Sequence, residues 1–74
     1  MPPSATPSDI DLTPRELACL GELARGLRQD AIASALGITV ATVELHLTNA
    51  RRKLGAHTST QAVAIAITRG LVAI

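Results

Sequence analysis

The stretch from Gln29 to Lys53, QDAIASALGITVATVELHLTNARRK, leaves this chain few ways to fold. Ile32, Ala33 and Leu36 fall on one face of a helix running from Asp30 to Leu36. Gly37 stops that helix, because a left-handed terminal position costs glycine nothing sterically. Ile38 follows as a buried plug, and Thr39 can cap the next helix through its hydroxyl. That helix, about 40–54, repeats apolar side chains at Val43, Leu47, Ala50 and Leu54 before Gly55 ends it. Its other face carries Ala41, Glu44, Leu45, Thr48, Arg51 and Arg52.

A short helix, a glycine turn and a second helix with polar groups outward is the sequence form of a helix-turn-helix. Where two helices cross within a few residues, the inner side chain of the first must be small. Ala33 meets that demand, and Gly37, Ile38 and Val43 follow it at the spacing such a unit needs. The same pattern also fits an ordinary helical hairpin of a small bundle, so the residues alone leave both readings open.

With 74 residues there is room for one domain and a small core. Phe, Tyr and Trp are absent, so Leu, Ile, Val and Ala must fill that core. The lack of aromatics weighs against a single-stranded nucleic acid binder, which stacks bases on rings. A core of this kind is marginal alone, and oligomerisation is a common remedy. Cys19 is the one cysteine, which excludes an internal disulfide and is compatible with a reducing cytoplasm. No apolar run reaches the ~18 residues of a membrane span, and no secretory signal is visible. The net charge of +1 becomes informative when divided by position: −2 up to Gly37, +3 from Ile38 onward. Arg51, Arg52 and Lys53 gather the positive charge at the end of the second helix of the pair. That suits a polyanion, although a helix C-terminus also favours cations through its own dipole.

Residues 1–11, MPPSATPSDID, read as a disordered tail or the end of an interdomain linker, and 12–74 as the folded domain. Thr13-Pro14-Arg15-Glu16 is a capping box with proline at the first helical position. The first helix then runs to about Arg25 with Glu16, Cys19, Leu20, Leu23, Ala24 and Leu27 on one side. Among leucines, Cys19 reads as a buried, inert thiol rather than a nucleophile. Thr58-Ser59-Thr60-Gln61 is a second capping box, opening a last helix that extends to about Arg69. Its run AVAIAI has no polar face, and so small a domain cannot bury every side of it. A symmetric homodimer contact through Ala62, Ile65, Ala66 and Arg69 is therefore expected.

In register, the chain resembles the LuxR-type helix-turn-helix family, the family of GerE and of the output domains of the FixJ and NarL response regulators. The resemblance rests on Leu12-Thr13 with Arg15-Glu16, Ala24 and Gly26, Ile32-Ala33 with Leu36-Gly37-Ile38, and Thr42-Val43. It continues through His46, Asn49, Lys53-Leu54-Gly55, Gln61-Ala62-Val63 and Gly70-Leu71, and so covers essentially the whole ordered chain. It implies an all-α fold of four helices, sequence-specific binding of double-stranded DNA in bacterial transcription regulation, and dimerisation through the fourth helix. It also leaves room for an upstream sensor or receiver domain in a longer chain. The chain departs from the family at Asp30 and Glu44, where lysine is common, and at Ser59, where arginine is usual. Each departure removes positive charge where DNA should lie, which implies weak and strongly salt-dependent binding unless the domain dimerises.

The family match carries base contacts onto Glu44, Leu45 and Thr48, with Ala41 close by. Glu44 can only accept, and cytosine N4 offers a donor in the major groove; Leu45 can pack on a thymine methyl. Thr39, Thr42, Arg51, Arg52 and Lys53 are the candidates for phosphate contacts, through hydroxyls, helix-start amides and charge. Asn49 fits either a DNA contact or a bond to backbone near the last helix. His46 sits beside the apolar face with no second ligand at metal spacing, so no metal site and no cofactor are expected. No nucleophile with its base is visible, so an enzyme is not expected. The competing reading is a protein-interaction or dimerisation module of the same fold with weak or lost DNA binding, motivated by Asp30, Glu44 and Ser59.

Overall fold

Thr13 opens the first element as the capping box requires. Its Oγ1 accepts from the Glu16 N–H at 3.1 Å, and Glu16 Oε1 accepts from the Thr13 N–H at 3.0 Å. The computed structural model describes residues 11–73, so the expected tail lies outside the described residues except for Asp11. Four helices follow in order: α1 (Pro14–Ala24), α2 (Gln29–Leu36), α3 (Val40–Lys53) and α4 (Ser59–Thr68). The described residues contain no strand, and the fold class is the expected all-α arrangement of four helices. The first and last helices end one residue before the sequence suggests, with Arg25 and Arg69 serving as caps.

Gly37 closes α2 with φ +70°, a conformation that any Cβ would strain. The Ile38 N–H then reaches back to Ala33 O at 3.0 Å, and the Gly37 N–H to Ser34 O at 3.3 Å. This pairing satisfies the last carbonyls of α2 and turns the chain. Thr39 caps α3 by accepting from the Thr42 N–H at 3.1 Å. Between them the helix axes turn by 106°, inside the range of a helix-turn-helix.

α3 packs against the other three helices and α1 does the same, so these two form the frame. The interior holds Cys19, Leu20, Ile32, Val43, Leu47 and Ala50, with Ala33 where α2 meets α3. Leu20, Ile32, Val43 and Cys19 are its largest fully buried side chains, so aliphatic packing without aromatic rings suffices. No single helix among the described residues is long and apolar enough to cross a membrane.

Two expectations for the last helix change. Thr58 caps α4 through the Gln61 N–H at 3.0 Å, but Gln61 Oε1 takes the His57 N–H at 2.7 Å, not that of Thr58. The second capping box is thus half-formed, and its glutamine holds the preceding loop instead. More consequentially, Ala62 and Ala66 are fully buried within the protomer, because α4 packs against α1 and α3. They are core residues and cannot contact a second copy. Ile65 also packs on the core, half-buried, while Arg69 is exposed. The side of α4 turned away carries Thr60, Ala64, Ile67 and, just beyond the helix, Leu71. Thr60, Ala64 and Leu71 are exposed, and half-buried Ile67 is not among the side chains packed on the core.

Candidate nucleic-acid interface

The inner stripe of α3 anchors the helix by burying Val43, Leu47 and Ala50. The side of α3 opposite that stripe faces outward. Ala41, Glu44 and Leu45 are exposed, Thr48 is half-buried and Arg52 is exposed, so the four expected base-facing residues and one arginine share one side. Val40, at the first position of α3, is also exposed. The sequence reading passed over Val40; the signal available was a valine outside the repeat of buried positions.

Chemically this surface divides along its length. From Val40 to Ala50 there is no Lys or Arg, and the one charge is the Glu44 carboxylate. The ion pairs among the described residues are Arg25–Glu22 and Lys53–Glu16, so Glu44 is held by neither. At the start of α3, Thr39 and Thr42 bring their hydroxyl oxygens within 2.8 Å of each other. Thr39 is exposed and Thr42 half-buried, beside the open amides of a helix N-terminus. The cations stand at the far end of the helix.

Those three cations prove unequal. Lys53 Nζ donates to Glu16 Oε1 at 2.8 Å and to the Asp11 carbonyl at 2.8 Å, closing two of its three N–H groups on the protein. The expected phosphate lysine is therefore first a tie between α3 and α1. Arg51, half-buried, donates from Nη1 to the His57 carbonyl at 3.2 Å and braces the loop before α4. Arg52 is exposed, and its contact is a long 3.4 Å bond to Asn49 Oδ1. Among the described residues the hydrogen bond of the Asn49 side chain is this one to Arg52 on its own helix, with none to backbone or to α4.

Glu16 is the functional partner that sequence reasoning left incomplete. It is 3% exposed, and burial pushes its carboxyl up. The hydrogen bonds from Lys53 and from the Thr13 N–H, with the positive charge of Lys53, outweigh burial and hold the carboxyl below its ordinary value. An acid on an otherwise apolar stripe was the signal that a cation had to come from elsewhere. Cys19 is fully buried and its thiol is pushed up by burial, which keeps it an inert core group. His46 is half-buried on α3, and no group of three metal-ligating side chains occurs among the described residues. Asp30 is exposed in the first turn of α2, where its Oδ1 accepts from the Ala31 N–H at 3.0 Å.

Residues 11–66 match the family model of bacterial regulatory proteins of the luxR family. The chain belongs to that family. LuxR-family relatives include the transcriptional regulatory protein YdfI of Bacillus subtilis (strain 168), 40% identical over 67 residues, covering 90% of this chain and 32% of YdfI. The quorum sensing-dependent transcriptional regulator RpaR of Rhodopseudomonas palustris is 48% identical over 61 residues, covering 82% of this chain and 25% of RpaR. Among solved structures, the transcription factor GerE superposes with a TM-score of 0.80 at 31% identity, covering 84% of this chain and 92% of that one. The chain thus spans a third or less of the length of these two relatives, YdfI and RpaR, but nearly all of GerE. A LuxR-type helix-turn-helix is a DNA-binding domain of transcription regulation, not an enzyme, and that is the class of this domain.

Proposed function

We propose that α3 lies in the major groove of duplex DNA as a recognition helix and that two copies act together on one site. The observation carrying this reading is the exposed side of α3 opposite Val43, Leu47 and Ala50, where Ala41, Glu44, Leu45 and Thr48 stand together. Glu44 accepts from a cytosine N4 amino group, Leu45 packs on a thymine methyl, and Thr48 bonds either kind of edge. Ala41 is small enough to let the helix approach the bases.

Phosphate oxygens meet the Thr39 and Thr42 hydroxyls and the amides at the start of α3, with Arg52 as the principal cation. Arg51 and Lys53 add charge at longer range, since some of their donors already hold them on the protein. The dimer forms through the outward stripe Thr60, Ala64, Ile67 and Leu71 of α4 and its end. A two-fold pair of recognition helices calls for two half-sites about one helical turn, roughly 10 base pairs, apart. In this reading residues 12–74 are the DNA-binding unit of a regulator working in the cytoplasm, with room for an upstream sensor or receiver domain in a longer chain.

Selection of sites from a random duplex library, with anisotropy titration of the winners, tests the proposal. A consensus with a cytosine in each half-site is expected. The variant Glu44→Lys should bind more tightly overall while relaxing that cytosine. The same consensus for both proteins would refute the role given to Glu44. Failure of any duplex to bind at low salt would favour the module that kept the fold and lost DNA, a reading that the exposed acids Asp30 and Glu44 recommend.

A further inference from the structure

Glu44 differs from an ordinary acceptor on a recognition helix in what surrounds it. Val40 lies one turn before it and Leu45 directly after, 43% and 57% exposed, and these are two of the three exposed large apolar side chains of the described protein. Ala41, also exposed, lies between them on the helix surface. Among the described residues the Glu44 carboxylate is in neither ion pair, and its exposed neighbours Val40, Ala41 and Leu45 are apolar, with Thr48 one turn after it and no arginine or lysine on α3 until Arg51. In the major groove the cytosine edge presents the N4 amino donor, and C5 lies next to it on the same edge. A carboxylate that accepts a hydrogen bond from N4 therefore brings a neighbouring side chain close to C5.

We propose that the Val40–Glu44–Leu45 surface reads 5-methylcytosine, with Glu44 accepting from N4 and Leu45 or Val40 covering the C5-methyl group. Cytosine methylation then strengthens binding instead of blocking it. The inference rests on the recognition-helix reading above and specifies the base that site prefers. The gain expected is about fourfold in affinity, the equivalent of one methyl group taken out of water.

The probe is the duplex enriched by this chain from a random library, resynthesised with cytosine or with 5-methylcytosine at the position that Glu44→Gln ceases to discriminate. Anisotropy titration should show the methylated duplex binding about fourfold more tightly. The double variant Val40→Ala, Leu45→Ala should bind both duplexes more weakly and lose the response to methylation, the ratio of the two affinities falling to about one. Both side chains are exposed, so the variant is expected to fold, and circular dichroism checks that it does. Equal or weaker binding of the methylated duplex overturns this inference and leaves the recognition-helix reading intact. A methylation response that survives the double variant, or a Glu44→Gln profile that changes no position, also overturns it. If no duplex is enriched at all, both readings fall together.

Discussion

Lys53 and Arg52 are neighbours in the chain with different work. The Lys53 ammonium sits 2.8 Å from a carboxylate that is 3% exposed, whereas Arg52 stands in solvent with one long bond to Asn49. Removing the lysine leaves Glu16 buried with a lost partner, a penalty of about 1–3 kcal/mol. Lys53→Ala should therefore lower stability by about that amount in urea unfolding, while Arg52→Ala stays within about 0.5 kcal/mol. On DNA the order reverses: Arg52→Ala should reduce the magnitude of the log–log salt slope by about 0.9, and Lys53→Ala by less. The pair also sets a pH dependence. Glu16 has a folded value below its unfolded one, so its stabilisation is complete above the ordinary glutamate range and is lost as pH falls through the depressed value. Without Lys53 its hydrogen bond and its charge no longer hold the Glu16 carboxyl down, so the carboxyl rises from its depressed value. Acid unfolding of Lys53→Ala, followed by circular dichroism, should then begin at a higher pH than that of the parent chain. Coincident acid limbs would show that the contact does not couple protonation to folding.

At the scale of elements, the sequence carried the helix-turn-helix almost whole, because each part of it announces itself locally. Thr13, Thr39 and Thr58 all cap as their positions suggest, and the apolar repeat of α3 has one phase only. The tie from Lys53 to Glu16 was not legible, since it joins residues 37 apart and sequence spacing says nothing about which helix ends meet. The inner face of α4 was hidden for a different reason. A run such as AVAIAI is apolar on every side, so it has no phase to say which alanines face α1. The packing supplied the phase by burying Ala62 and Ala66, which moves the outward stripe to Thr60, Ala64 and Ile67. Two glycines separate local demand from chance in the same way. Gly37 needs its positive φ, so Gly37→Ala should cost about 1–2 kcal/mol and loosen the angle between α2 and α3. Gly21 lies inside α1 with ordinary helical geometry, and a Cβ added there meets nothing within 4 Å. Gly21→Ala should stabilise the domain by about 0.5–1 kcal/mol in thermal or urea unfolding.

For the molecule as a whole, electrostatics decides whether one copy is enough. The net charge is +1, all three cations at the end of α3 bond within the protein, Arg52 only by a long contact, and Asp30 and Glu44 are exposed acids. Counterion release scales with the phosphates neutralised, so a single copy has little with which to hold a duplex. Two copies on adjacent half-sites add their contacts, and a shared α4 surface makes the second event intramolecular. The outward stripe of α4 is short, and Leu71 is its one large exposed apolar side chain among the described residues, so the free protein should sediment as a monomer at micromolar concentration. On a duplex with two half-sites it should sediment as two copies per duplex. Ala64→Glu tests the contact directly. Position 64 is exposed and outside the core, so the fold is expected to persist, and two-fold symmetry sets the two new carboxylates near each other. The variant should bind a single half-site as the parent does and lose the extra affinity of the paired site. If Ala64→Glu keeps that advantage, or if the parent never places two copies on one duplex, the α4 contact is wrong and recognition must rest on the monomer's few cations alone.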